Sequence, residues 1–202
     1  MLGVKASEFY TFLIYVTPVG SYFKSGLKNL NTIVTDKYHR VATKSIGFAK
    51  AVGNYAGTLL PYKEIVEDGY DEIIFLNASN ENIIDEARSA NIFVFKGNVL
   101  KTPRLQGSIL PGITRDSVIK VASKIFNFDV REEDVSLDEL MNADEVFFTG
   151  TAAVIAPVER IVYKNNETKF NISYEESMTK KIRERLIDIQ HENIEDPFGW
   201  VI

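Results

Sequence analysis

One lysine and three later segments hold most of the side chains in this chain that could do chemistry together. Lys50 stands in Ala49-Lys50-Ala51-Val52-Gly53-Asn54-Tyr55-Ala56. Downstream come Asp85-Glu86-Ala87-Arg88-Ser89-Ala90-Asn91-Ile92-Phe93, then Ile109-Leu110-Pro111-Gly112-Ile113-Thr114-Arg115, then Phe148-Thr149-Gly150-Thr151-Ala152-Ala153. Together they supply an amine, a carboxylate and two clusters of backbone N–H donors. That inventory could hold a phosphorylated aldehyde and run amine chemistry on it.

Each piece has its own physical logic. An ε-amine attacks an aldehyde only when neutral, so its site must lower its pKa by desolvation or by nearby positive charge. Phe48, Ala49, Ala51 and Val52 are small or apolar, which predicts partial burial of Lys50. Taken alone, Lys50 reads as a surface lysine, and Glu81, Asp85 and Glu86 as a solvated acidic turn. Gly112-Ile113-Thr114 opens a predicted helix with Thr114 as its N-cap, and a helix start favours a phosphate through its N–H groups and dipole. Thr149-Gly150-Thr151-Ala152 adds consecutive N–H groups and two hydroxyls, or is simply a strand-end turn. Tyr55 and Tyr22 suit a site wall and suit a core equally.

The elements that must carry these residues are read from periodicity. Phe9 to Val16 is apolar, β-branched and aromatic, and predicts a buried strand. Short strands are expected at 31–35, 73–76, 92–95, 146–148 and 154–162, with a polar turn over 77–82. Apolar spacing from Asn54 to Val66 is helical, although Pro61 should end or bend it. Val118, Val121, Ala122 and Ile125 recur on one helical face after Thr114. Ser136 and Glu139 form a capping-box pattern, and 174–189 predicts a charged amphipathic helix. Strands and helices interleave irregularly, which points to a mixed α/β (α+β) domain.

Composition narrows the function classes. The 202 residues are enough for a full core, and 45% hydrophobic with 25% charged residues is ordinary for a globular protein. A net charge of -5 with no basic patch argues against nucleic acid. The absence of cysteine excludes disulfides, thiolate metal sites and a cysteine nucleophile. His39 and His191 are far apart, so no metal is expected. No apolar run reaches the ~18 residues of a membrane span, and no signal peptide is evident, so a cytoplasmic location is the expectation.

In this order the segments resemble the branched-chain amino acid aminotransferases, class IV enzymes that use pyridoxal 5'-phosphate (PLP). The likeness runs from about Leu2 to Trp200. The stretches ASEFYTFLIYVTPVGSYF, EVFFTGTAAVIAPV and DPFGW favour the branched-chain type over D-amino acid aminotransferases or aminodeoxychorismate lyases. The resemblance implies that Lys50 is the Schiff-base lysine and shuttles the substrate α-proton. Glu86, five residues before Asn91-Ile92-Phe93, would pair with the ring nitrogen in preference to Asp85. Ile113, Thr114 and Thr151 would bind the phosphate, and Tyr55 the phenolic oxygen. The Thr151 and Ala152 amides would receive the substrate carboxylate, with Tyr22 lining the side-chain pocket.

The implied fold is the large cofactor-binding lobe of fold type IV over residues 24–202. Residues 1–23 would be a remnant strand and interdomain connection, with most of the small N-terminal lobe, including a phosphate-binding arginine, absent. The implied activity moves the amino group of leucine, isoleucine or valine to 2-oxoglutarate, in a homodimer or larger homo-oligomer. One alternative is a catalytically incomplete remnant serving as a binding or assembly module. Another is a class IV aminotransferase with other substrates. Thr43 to Phe48 departs from the family in being poorer in glycine before the lysine.

Overall fold

The computed structural model describes residues 3–18 and 28–201. Among the described residues, nine strands make one continuous sheet. They are β1 (Leu30–Thr35), β2 (Glu72–Asn77), β3 (Asn80–Ala87), β4 (Asn91–Lys96), β5 (Val99–Thr102), β6 (Asp129–Glu132), β7 (Glu145–Gly150), β8 (Val154–Tyr163) and β9 (Asn166–Lys169). Their order is β3-β2-β1-β8-β7-β4-β5-β6, with β9 also on β8. β1 runs parallel to both β2 and β8, whereas β7 runs antiparallel to both β8 and β4. Strand β8 is the hinge of this arrangement. Its first four residues pair with β7, and Val158 onward pairs with β1.

The central strands read as unbroken apolar runs because both their faces are buried. Ile74 and Leu76 of β2, Ile92 and Val94 of β4, and Val146 and Phe148 of β7 share one core. Their alternates turn the other way. Phe93, Phe95 and Phe147 pack under α3 (Ile113–Lys124) and α5 (Met178–Gln190), against Val118, Val121, Ile182 and Leu186. Ile73 and Phe75 meet Ile65 of α2 (Leu59–Glu67). The two-residue period of a strand thus feeds two cores from one sheet.

Several local expectations are corrected. Pro61 falls in the first turn of α2, where its missing N–H removes no helical bond, so it breaks nothing. The helical stretch divides earlier, between α1 (Val52–Ala56) and α2. The turn at 77–82 is confined to residues 78 and 79, because Asn77 Oδ1 accepts from the Ser79 and Asn80 N–H groups and launches β3 directly. The predicted C-terminal helix is split. A 3₁₀ turn spans Tyr174–Glu176, and α5 starts afresh behind Ser177, whose Oγ accepts from Lys180 N at 3.0 Å. The buried carboxylate of Glu145 accepts the Met178 and Thr179 N–H groups at 2.8 and 2.9 Å, fixing that start against β7. The capping box at Ser136 is present and opens α4 (Leu137–Met141).

Phe9 to Val16 does not form the expected strand. A strand is held by a neighbour's backbone, and none of the described strands pairs with this segment. Phe9, Phe12 and Val16 are 87%, 86% and 95% exposed. Such contiguous apolar side chains favour self-association. Replacing Phe9 and Phe12 with serine should therefore lower the sedimentation-derived mass of the protein. An unchanged distribution would show that this segment does not drive assembly.

Candidate active site

Four chain segments converge on one cavity of about 210 Å³. Lys50 and Tyr55 come from the loop before α1 and from α1 itself. Glu86 comes from the end of β3, Gly112 to Thr114 from the start of α3, and Thr149 to Thr151 from the end of β7 and the turn after it. Five of the wall residues, Lys50, Tyr55, Glu86, Thr114 and Thr151, are ones the sequence singled out, and Ile113 is a sixth. Ala152 lines a neighbouring cavity. Tyr22 lies outside the described residues, as does the expected boundary between 1–23 and 24–202.

Glu86 is the most constrained of these groups. It is 3% exposed, and its carboxylate is paired with the guanidinium of Arg40. Asn91 Nδ2 donates to Oε2 at 3.0 Å and Leu110 N donates to Oε1 at 3.1 Å. Burial pushes the Glu86 carboxyl up to about 8, against the opposing pull of Arg40. The ionised form, which would hold a proton on a ring nitrogen, is favoured by the Arg40 pair and by the two N–H donors that its oxygens accept. Asp85 turns away from the cavity and is buried against Asn77 Nδ2 at 2.9 Å. Burial raises its carboxyl as well.

Arg40 is held in turn by the Ser108 carbonyl at 2.6 Å. The sequence did not announce it, because it lies ten residues before Lys50 in an irregular loop. Asn54 was equally silent. Its Nδ2 donates to the carbonyls of Ile46 and Ala49 at 2.9 and 3.0 Å and so fixes the turn that carries the lysine. Gly47 explains how this loop approaches the rest of the domain, since a Cβ there would run into the backbone of Ser108.

Lys50 differs from expectation in its burial. It is exposed, with Phe48 and Val52 at 56% and 84% exposed. The loop packs its backbone, not its apolar side chains, on Gly107 and Ser108: Phe48 N donates to the Gly107 carbonyl at 3.1 Å. The N-cap of α3 is Gly112, not Thr114, and no side chain caps it. Thr114 sits inside the first turn, where its N–H and that of Ile113 face the entry of the helix.

A phosphorylated aromatic aldehyde fits these residues on three counts. Thr149 Oγ1 is buried without a hydrogen-bond partner at the cavity wall. Gly112 leaves open a position where a Cβ would strike Asn91 Oδ1, the side chain that steadies Glu86. An acid for a ring nitrogen, an amine for an aldehyde and an uncapped 12-residue helix start for a phosphate share one wall.

Comparison with known proteins points the same way. The Amino-transferase class IV family matches residues 3–161. A chloroplastic branched-chain amino acid aminotransferase 2 of Humulus lupulus is 41% identical over 202 residues, 100% of this chain and 49% of its own length. The branched-chain amino acid aminotransferase of Escherichia coli superposes with a TM-score of 0.78 at 35% identity, covering 91% of this chain and 59% of that one. The T.th. branched-chain amino acid aminotransferase, solved with N-(5'-phosphopyridoxyl)-L-glutamate, gives a TM-score of 0.71 at 28% identity over 86% of this chain and 55% of that one. The chain therefore spans about half the length of the curated relatives it matches.

Proposed function

Since this chain belongs to the class IV aminotransferase family, we propose that it is the cofactor-binding part of a PLP-dependent branched-chain aminotransferase. The observation that carries the reading is the single cavity walled by Lys50, Glu86, the start of α3 and the Thr149–Thr151 turn. When bound there, PLP would supply an electron-withdrawing ring that weakens the C–H bond next to the substrate amine. Glu86 holds a proton at the ring nitrogen, and Arg40 with Asn91 keeps that carboxyl oriented. Ile113, Thr114 and Thr151 hold the phosphate, and Tyr55 orients the ring from the α1 side. Lys50 Nζ tethers the group and moves the proton at the substrate α-carbon. The amides of Thr151 and Ala152 take the substrate carboxylate.

The amino donors in this reading are leucine, isoleucine and valine, the acceptor is 2-oxoglutarate, and the working form is a homodimer or larger assembly. Names of the relatives support the donors, and the phosphopyridoxyl-glutamate bound to the T.th. enzyme supports the acceptor. Titration with PLP should produce a visible band that borohydride fixes onto the Lys50 peptide. Absence of the band, or label on another lysine, would overturn the reading. The exposure of Lys50 favours one rival, a binding or assembly module that keeps the fold without turnover. A fixed Lys50 label together with single-turnover loss of the band on adding leucine would exclude it.

Thr151→Val tests the phosphate end. A hydrogen bond to a charged group is worth roughly 1.5–3 kcal/mol, so PLP should bind about tenfold or more weakly. Equal affinity in variant and parent would remove Thr151 from the phosphate site.

A further inference from the structure

The turn between β7 and β8 ends on a residue in an unusual backbone state. Val154 has a φ of 59°, in the left-handed region, where the Cβ of an L-residue crowds the following carbonyl oxygen. A branched Cβ makes that crowding worse. Lys44, Asn127, Lys164 and Glu192, the other non-glycine residues with positive φ among those described, carry amide or unbranched side chains and lie in turns or beyond helix ends. Val154 instead begins a strand.

The hairpin register explains what this residue does. Val154 pairs with Gly150 and Ile155 with Thr149, which leaves Thr151, Ala152 and Ala153 as a three-residue loop. Such a loop closes through a residue in the left-handed region that forms a bulge, a position glycine usually takes. The bulge also redirects side chains. Ala153 and Ala156 join the core of Ile92 and Val94, whereas Val154 and Ile155, though consecutive, both pack into the core under α3 and α5. Regular strand alternation would send one of those two to the opposite face. The half-buried isopropyl group of Val154 therefore holds down the end of the loop, and the neighbouring Ile155 carbonyl accepts from Arg183 Nε of α5 at 3.2 Å. At the other end of the loop, Thr151 lines both the cavity assigned above to the cofactor and a neighbouring one of about 530 Å³. Ala152 and Ala153 line the neighbouring one.

We propose that Val154 is a positioning residue of the candidate active site: its side chain, held in the core under α3 and α5, keeps the strained bulge in place and so fixes the direction of the Thr151–Ala152 amides. The inference rests on the aminotransferase reading and deepens it, since those amides are there the receivers of the substrate carboxylate. Donors serve an anion best when their direction is set before the anion arrives. Glycine at position 154 would accept the same φ without crowding, but would leave the loop free to reach other conformations. Packing of the isopropyl group offsets the strain, which would relax if the side chain let go.

Val154→Gly and Val154→Ile in the full chain test this, by backbone NMR relaxation and by calorimetric titration with isovalerate, a branched monocarboxylate, with and without PLP. In the parent, residues 151–153 should be as ordered as the strands beside them, with backbone order parameters of about 0.85. In Val154→Gly they should fall below about 0.6, while β7, β8 and α5 stay unchanged. The affinity of the PLP-loaded chain for isovalerate should fall about tenfold, the scale of one lost hydrogen bond to a charged group. PLP itself should weaken by a smaller factor, because the start of α3 keeps its share of the phosphate. Val154→Ile retains the branched anchor and should match the parent in every readout. An ordered turn in Val154→Gly, a loosened one in Val154→Ile, or a loss of order spread through β7, β8 and α5 would overturn the proposal. A loosened turn with unchanged affinity for isovalerate would keep Val154 as the anchor and strike the Thr151–Ala152 amides from the aminotransferase reading.

Discussion

On the proposed function, Lys50→Ala is expected to abolish the visible PLP band after dialysis and to lower the rate of amino-group transfer by roughly 10⁴-fold, since one amine would supply both the tether and the acid–base group. Position, rather than burial, singles it out. Among the described residues it is the lysine that lines both cavities. Lys28 lines the second cavity but is held by Asp71. Spectra before and after dialysis, with borohydride labelling and peptide mapping, provide the check. A surviving band with label on Lys28 or any other lysine would end the assignment.

The fold was legible where burial on both faces left continuous apolar runs. Ile73–Leu76, Ile92–Phe95, Val146–Phe148 and Val154–Val162 all fall within observed strands, and the helix carrying Val118, Val121 and Ala122 falls where its period places it. What escaped notice was polar or short. β3 begins Asn80-Glu81-Asn82, and β6 is Asp129-Val130-Arg131-Glu132, sequences with little strand propensity of their own. They are strands because β2 and β5 offer them backbone partners. Tertiary pairing of this kind leaves no local signature.

Placement of the site divides along the same line. The family resemblance named Lys50, Tyr55, Glu86, Ile113, Thr114 and Thr151, and the folded chain sets all six around one cavity, with Ala152 on the neighbouring one. Arg40 and Asn54 act through partners five to 68 residues away, and their spacing says nothing of it. The burial expected for Lys50 failed for a physical reason too: small apolar neighbours cover a lysine only if their side chains turn inward, and here the backbone does.

Glu86→Gln should leave PLP bound yet slow half-transamination by about 10²-fold, the scale on which removing one charge-stabilising group acts. A neutral amide accepts from Arg40 and Leu110 N much as the carboxylate does, but cannot hold a proton at the ring nitrogen, so the ring withdraws electrons less. The cofactor-free protein offers a second readout. Burial raises the folded Glu86 carboxyl to about 8 from an ordinary value of 4.5. The folded state therefore binds this proton more tightly than the unfolded chain, a contribution fully present below pH 4.5 and lost as pH rises through 8. Glutamine carries no such dependence. Urea unfolding across that window should show the variant gaining on the parent as pH rises. A constant difference would mean that Glu86 is ionised throughout, and an unchanged transfer rate would hand the ring nitrogen to another group.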